Sequence, residues 1–204
     1  MTAFPAIMKN ELPKGWYSRG YLPHYDPGSA TQFITCRLFD SLPQKVLERF
    51  RMELETKQAE DIDREVMILI EKFLDSGYGE CFLKERRIAE IVRDSLQKFD
   101  GERYKLISWI IMPNHIHLLL KPLNGWELSK ILQSFKSFTA QEANKFLNRS
   151  GKFWMREYFD RYIRDYEHFE KVFRYIENNP VKAGFCENPE DWEFSSAYQG
   201  TPSS

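Results

Sequence analysis

Cysteine is scarce in this chain of 204 residues: Cys36, Cys81 and Cys186 are odd in number, far apart and without metal-ligand spacing. This excludes a disulfide-stapled fold and a cysteine-bound zinc, and it points to a reducing cytoplasm. Long apolar runs are missing too. None approaches the roughly 20 residues that cross a bilayer, so no membrane partner is expected. The opening Met1-Thr2-Ala3-Phe4-Pro5 lacks the charged-then-apolar order of a secretory signal. An overall excess of basic charge is also absent. The net charge is −1, which taken alone argues against a nucleic-acid binder.

What is present describes a globular protein, with 42% hydrophobic and 15% aromatic residues. Its length suits one domain with an elaboration and allows a substantial core. The charge is unevenly spread. Residues 103–183 hold 14 Lys and Arg against 8 Asp and Glu, while the remainder holds 15 against 22. A basic half of this kind suits an anionic partner, although chance segregation of solvated charge gives the same count.

Residues 1–30 carry four prolines and no period, and read as an N-terminal arm. Thr31 to Phe39 is β-rich and reads as a first strand. Asp40 or Ser41 caps a helix with Pro43 in its first turn, running to about Lys57. Residues 58–76 are acidic and helical in spacing, and segment 58–82 reads as a helical insertion whose charge opposes that of the basic half. Leu83 to Phe99 is a further amphipathic helix. Tyr104 to Met112 is a second strand. Pro113-Asn114 makes a turn or bulge into the strand that begins at His115. A long helix spans Glu127 to Asn148, with Lys130, Ser134, Lys136, Ser137, Thr139 and Gln141 on its polar side. Phe153 to Arg164 alternates as a strand, and a last helix runs from Tyr166 to about Asn178, ahead of Pro180. Segment 185–204 is a tail in which Trp192, Phe194 and Tyr198 dock on the domain. The order is close to β-α-β-β-α-β, so the expected fold is α+β: a ferredoxin-like antiparallel sheet with inserted helices and an added C-terminal helix.

Two constellations carry chemistry. Of four histidines, His115 and His117 stand two apart on one strand. Side chains alternate along a strand, so the two imidazoles share a face about 7 Å apart along the backbone, and Ile116 turns to a core. Such a pair can hold one metal ion, or it can be an ordinary polar pair on a wet face. On the last helix, Tyr175 and Asn179 are one turn apart on one face. A tyrosine hydroxyl can attack phosphorus and form a covalent ester. An amide oxygen can complete a histidine site for Mg²⁺ or Mn²⁺. By spacing alone, a packing tyrosine and a helix-terminal asparagine explain these positions better than chemistry does.

The motifs Trp109-Ile110-Ile111-Met112-Pro113-Asn114-His115-Ile116-His117, Phe135-Lys136-Ser137-Phe138-Thr139 and Tyr158-Phe159-Asp160-Arg161-Tyr162-Ile163-Arg164-Asp165 occur in this order. They are followed by Tyr175-Ile176-Glu177-Asn178-Asn179-Pro180-Val181-Lys182-Ala183-Gly184 and Trp192-Glu193-Phe194-Ser195-Ser196-Ala197. Together they resemble the REP-associated tyrosine transposases, relatives of the single-tyrosine HUH transposases. The resemblance implies one catalytic domain over 1–204 that acts on single-stranded or hairpin DNA, as a monomer or homodimer, in the cytoplasm at the nucleoid. It assigns His115 and His117 as metal ligands, Tyr175 as nucleophile and Asn179 as a third polar ligand. Insertion-sequence relatives favour glutamine at the last position. Lys136, Arg156, Arg161, Arg164 and Lys182 are candidates for phosphate contacts. Tyr158, Tyr162 and Tyr166, in or beside an aromatic strand, are expected to pack or stack. The competing readings are a non-catalytic single-strand-binding module of the same fold and a two-histidine phosphoesterase. The latter lacks its second motif around His24 or His168.

Overall fold

The computed structural model describes residues 16–18, 23–25, 30–56 and 62–200. Two short antiparallel strands, β1 (Trp16–Ser18) and β2 (Pro23–Tyr25), form a separate ribbon. The main sheet has the order β4-β5-β3-β6, from β3 (Gln32–Arg37), β4 (Tyr104–Ile111), β5 (His115–Pro122) and β6 (Phe159–Tyr162). Every pairing in it is antiparallel. With helices between β3 and β4 and between β5 and β6, this is the ferredoxin-like arrangement expected from the element order.

Period-2 alternation divides the sheet into two faces. Ile34, Cys36, Ile116, Leu118 and Leu120 pack on one side against α3 (Arg86–Gln97) and α4 (Leu128–Phe146). Phe33, Ile110 and Leu119 point the other way and pack with Ile176 of α5 (Tyr166–Lys182). His115 and His117 share the parity of Leu119, so they stand on the α5 face. The link between β4 and β5 is tight: the Met112 amide donates to the His115 carbonyl at 2.9 Å across Pro113-Asn114. The tail closes the exposed edge of β4. The Ile111 amide donates to the Phe194 carbonyl at 2.8 Å, and the Ser196 amide donates to the Trp109 carbonyl at 2.9 Å. Trp192 Nε1 donates to the Ile111 carbonyl at 3.0 Å. An edge that would otherwise invite foreign strands is thereby capped.

Four expectations are corrected. α5 continues through Pro180 to Lys182. Proline keeps a helical φ and removes one donor, and the Ala183, Gly184 and Phe185 amides still reach the Asn179, Val181 and Pro180 carbonyls. The strand expected over 153–164 is hydrogen-bonded only at 159–162. Before it, Phe153, Trp154 and Tyr158 are buried against α4 as loop residues, with a lone bridge between Trp154 and Leu38. Neither Asp40 nor Ser41 caps α1 (Gln44–Thr56): the Ser41 hydroxyl donates to the Leu38 carbonyl, and the Asp40 carboxylate accepts from the Glu80 amide. The polar side of α4 is partly buried, since Thr139 is enclosed and accepts from Trp154 Nε1 at 2.9 Å.

Leu118 is fully buried and Phe138 is 51% exposed. Leu118→Ala should therefore cost about 2–5 kcal/mol in denaturant unfolding, and Phe138→Ala less than about 1 kcal/mol.

Candidate active site

β5 presents two imidazoles to one point. The Asn114 amide Nδ2 donates to the Leu74 and Tyr78 carbonyls at 3.0 and 2.8 Å, which leaves its Oδ1 facing His115 Nδ1 at 2.7 Å. His115 must therefore donate from Nδ1, and its Nε2 keeps a lone pair. His117 Nδ1 is held by the Thr35 hydroxyl at 2.9 Å. The two Nε2 atoms then meet at 3.1 Å. Two imidazoles bound side by side to one ion at about 2.1 Å would separate their nitrogens by roughly 3 Å. Both rings are buried. Burial pushes the His115 pKa down to about 3 and His117 well below its usual value, the latter with help from its neighbour. Both are neutral at physiological pH, the form that binds metals.

α5 lies across this face. The Tyr175 hydroxyl is 3.5 Å from His117 Nε2, and its ring meets those of His117 and Phe33 edge-on. Asn179 is fully buried one turn on, and both its amide atoms lack a hydrogen bond of good geometry. A buried primary amide without partners is costly, and a cation at the imidazole pair would give its oxygen one. His115, His117 and Asn179 thus fit a divalent ion on the observation of that orphaned amide.

The site also takes in two residues missed in the sequence. α2 (Ile62–Asp75) does not stand apart as an acidic flank. Its last turn reaches the histidines, where Asp75 Oδ1 lies 3.7 Å from His115 Nε2. Glu71, one turn earlier, lies near enough to the Tyr175 hydroxyl for each group to shift the other's titration. Burial raises the carboxyl of Glu71 to about 7 and that of Asp75 to about 6. Burial, together with these two carboxylates, pushes the Tyr175 phenol well above its usual range. The available signal was a carboxylate pair four apart, immediately before the turn that Asn114 binds. Read as net charge, it pointed away from the site.

The five basic candidates separate. Lys182 lies over the Tyr175 ring at 4.9 Å, and Arg161 pairs in register with Phe33 on the histidine face. Both lower the Glu71 pKa. Arg156 and Arg164 are exposed, and neither is brought to the histidines. Lys136 is on the far side of the sheet, where its ammonium donates to the Met155 and Arg156 carbonyls at 2.5 and 2.8 Å. Tyr158 is buried in the α3–α4 core, and Tyr166 is 75% exposed at the start of α5.

The family described as IS200-like transposase matches residues 81–179, a span that contains His115, His117, Tyr175 and Asn179 and excludes α2. A chain from Haemophilus influenzae that bears the name REP-associated tyrosine transposase is 31% identical over 106 residues, 47% of this chain and 60% of that one. The REP-associated tyrosine transposase of Escherichia coli K12 is 24% identical over 113 residues, 54% of this chain and 65% of that one. The chain therefore spans less than two thirds of the length of either relative. The solved structure of a REP-associated tyrosine transposase bound to a REP hairpin shares the fold, with a TM-score of 0.54 and 18% identity over 88% of this chain and 82% of that one. The resemblance read from the sequence is borne out by these matches.

Glu71 in the folded protein, at about 7, lies above its ordinary 4.5. Folding favours its neutral form, so this contribution is present below pH 4.5 and is lost as pH rises through 7. Glu71→Gln should stabilise the metal-free protein at pH 8 by up to about 3 kcal/mol, with no difference below about pH 4. The buried histidines act oppositely, losing stability as pH falls from about 6.5 toward 3, and they cancel in this paired comparison. Melting curves of both proteins across pH check it.

Proposed function

We propose that this relative of the REP-associated tyrosine transposases nicks and rejoins single-stranded or hairpin DNA through a phosphotyrosine formed on Tyr175. The observation that carries the reading is the position of the Tyr175 hydroxyl, 3.5 Å from a neutral histidine whose partner nitrogen lies 3.1 Å away. A divalent ion, Mg²⁺ or Mn²⁺, held by His115, His117 and Asn179 supplies Lewis-acid stabilisation of charge on the non-bridging phosphate oxygens.

The residues of the chain do the rest. Tyr175 Oη bonds to phosphorus in line, the bond from phosphorus to the 3′-oxygen breaks, and a 5′-phosphotyrosine remains. The phenolic proton passes to Glu71, the carboxylate that interacts with that hydroxyl, and the departing 3′-oxygen takes a proton from solvent. One phosphodiester replaces another, so the bond energy is stored and a second DNA 3′-OH can reverse the step. Thr35 and Asn114 orient the imidazoles in the manner of outer-shell groups at metal sites. Lys182, over the Tyr175 ring, and Arg161, in register with Phe33, would meet the phosphates flanking the break.

Tyr175→Phe should keep the fold and hairpin binding and lose the covalent adduct, because only the hydroxyl is needed. His115→Ala should lose cleavage by at least about 100-fold while DNA binding persists, since phosphate contacts dominate affinity. Cleavage gels with the hairpin repeats that flank the gene, with and without Mn²⁺, read both. Full cleavage by the Tyr175→Phe protein would contradict the reading.

Binding should weaken as salt rises, with a slope of about −0.7 per phosphate contacted in single strands. Lys182→Ala and Arg161→Ala should each reduce the magnitude of that slope by about 0.7. Lys136→Ala should leave it unchanged, and fluorescence anisotropy across a salt series distinguishes them.

A further inference from the structure

We infer that Asp75, from the last turn of α2, is a fourth protein ligand of the divalent ion at the His115–His117 site. The inference deepens the proposed function and rests on its metal site. Asp75 lies outside the segment matched by the transposase family.

Three observations converge on it. The first is distance. Asp75 Oδ1 is 3.7 Å from His115 Nε2. Two atoms that share one ion at about 2.1 Å stand roughly 3 Å apart when adjacent and about 4 Å apart when opposite, so 3.7 Å falls within the range. The second is unmet bonding. Asp75 Oδ1 is buried and makes no hydrogen bond of good geometry, and the enclosed Asn179 amide, which interacts with the Asp75 carboxyl, makes none at either atom. A carboxylate oxygen and an amide without good hydrogen bonds thus stand beside the imidazole pair. The third is construction. The Asn114 side chain binds His115 through Oδ1 and the Leu74 carbonyl through Nδ2. One buried residue therefore sets both the ligand tautomer of His115 and the position of the backbone adjoining Asp75. A helix joined this way to the metal face is built to deliver a side chain there.

Among the described residues, no three His, Cys, Asp or Glu side chains already surround a common centre. Asp75 reaches one by rotation about its side-chain bonds, of which the terminal torsion is broad and soft. A hard carboxylate oxygen beside two imidazoles favours Mn²⁺ and Mg²⁺ over softer ions. It also brings a negative charge to a site where neutral donors alone would hold the ion weakly.

The test uses the full chain without DNA. Mn²⁺ affinity is measured by electron paramagnetic resonance of the free ion for the parent, His115→Ala, Asp75→Asn and Asp75→Cys proteins. Asp75→Asn should weaken Mn²⁺ binding at least tenfold with unchanged circular dichroism. Asp75→Cys loaded with Co²⁺ should show a near-ultraviolet thiolate-to-cobalt charge-transfer band that the parent lacks. Mn²⁺ binding lost in His115→Ala but kept in Asp75→Asn overturns the ligand role and leaves the histidine site standing. Weakened binding without the cobalt band makes Asp75 a distant charge and also overturns it. A parent that binds no Mn²⁺ overturns this inference and the metal site together.

Discussion

Two uncharged imidazoles held with their Nε2 atoms 3.1 Å apart in a desolvated pocket are the constraint on which the rest of this face depends. Each ring is fixed from behind, His115 by Asn114 and His117 by Thr35. Without a cation, the contact is satisfied only if His117 carries its proton on Nε2 and gives it to His115. Binding an ion would require that proton to leave and the Thr35 hydroxyl to turn. The site is thus rigid in geometry and adjustable in protonation, and the depressed pKa values mean that protonation does not compete with metal near neutral pH.

Everything else converges on that pair through the parity of β5. The same alternation that sends Ile116 and Leu118 into the core beneath α3 and α4 turns the imidazoles toward α5. α5 brings Tyr175 and Asn179, and the last turns of α2 bring Glu71 beside Tyr175 and Asp75 beside Asn179. The resulting pocket is closed, with His115 and His117 buried. α1 and α2 pack on each other in a small core of their own, around Leu47, Leu54 and Val66.

Much of this was legible in the chain. The histidine face followed from strand parity alone, and the one-turn spacing of Tyr175 and Asn179 followed from helix geometry. The sheet order followed from the alternation of strands and helices. Hydrogen-bonded pairing was less legible than burial. The aromatic alternation through Phe153 to Tyr158 correctly marked buried side chains but not a strand, because these residues pack under α4 instead of extending the ladder. Pro180 read as a helix stop, whereas in the last turn it removes only one donor. α2 was misread for a different reason. Its acidic surplus was treated as a property of the whole segment, while the chemistry depends on where two carboxylates four residues apart end up. Lys136 shows the converse, a cation in a matching motif that the fold turns to backbone carbonyls.

The central claim is that the phenol over the imidazole pair becomes covalently joined to DNA, and mapping the adduct tests it most directly. After incubation with hairpin DNA and Mn²⁺, nuclease trimming and tryptic digestion, mass spectrometry should find a nucleotide-bearing peptide whose modified residue is Tyr175, attached through a 5′-phosphate. A modification mapped to Tyr158, Tyr162 or Tyr166, or cleavage that leaves every tyrosine unmodified throughout the time course, would contradict the account.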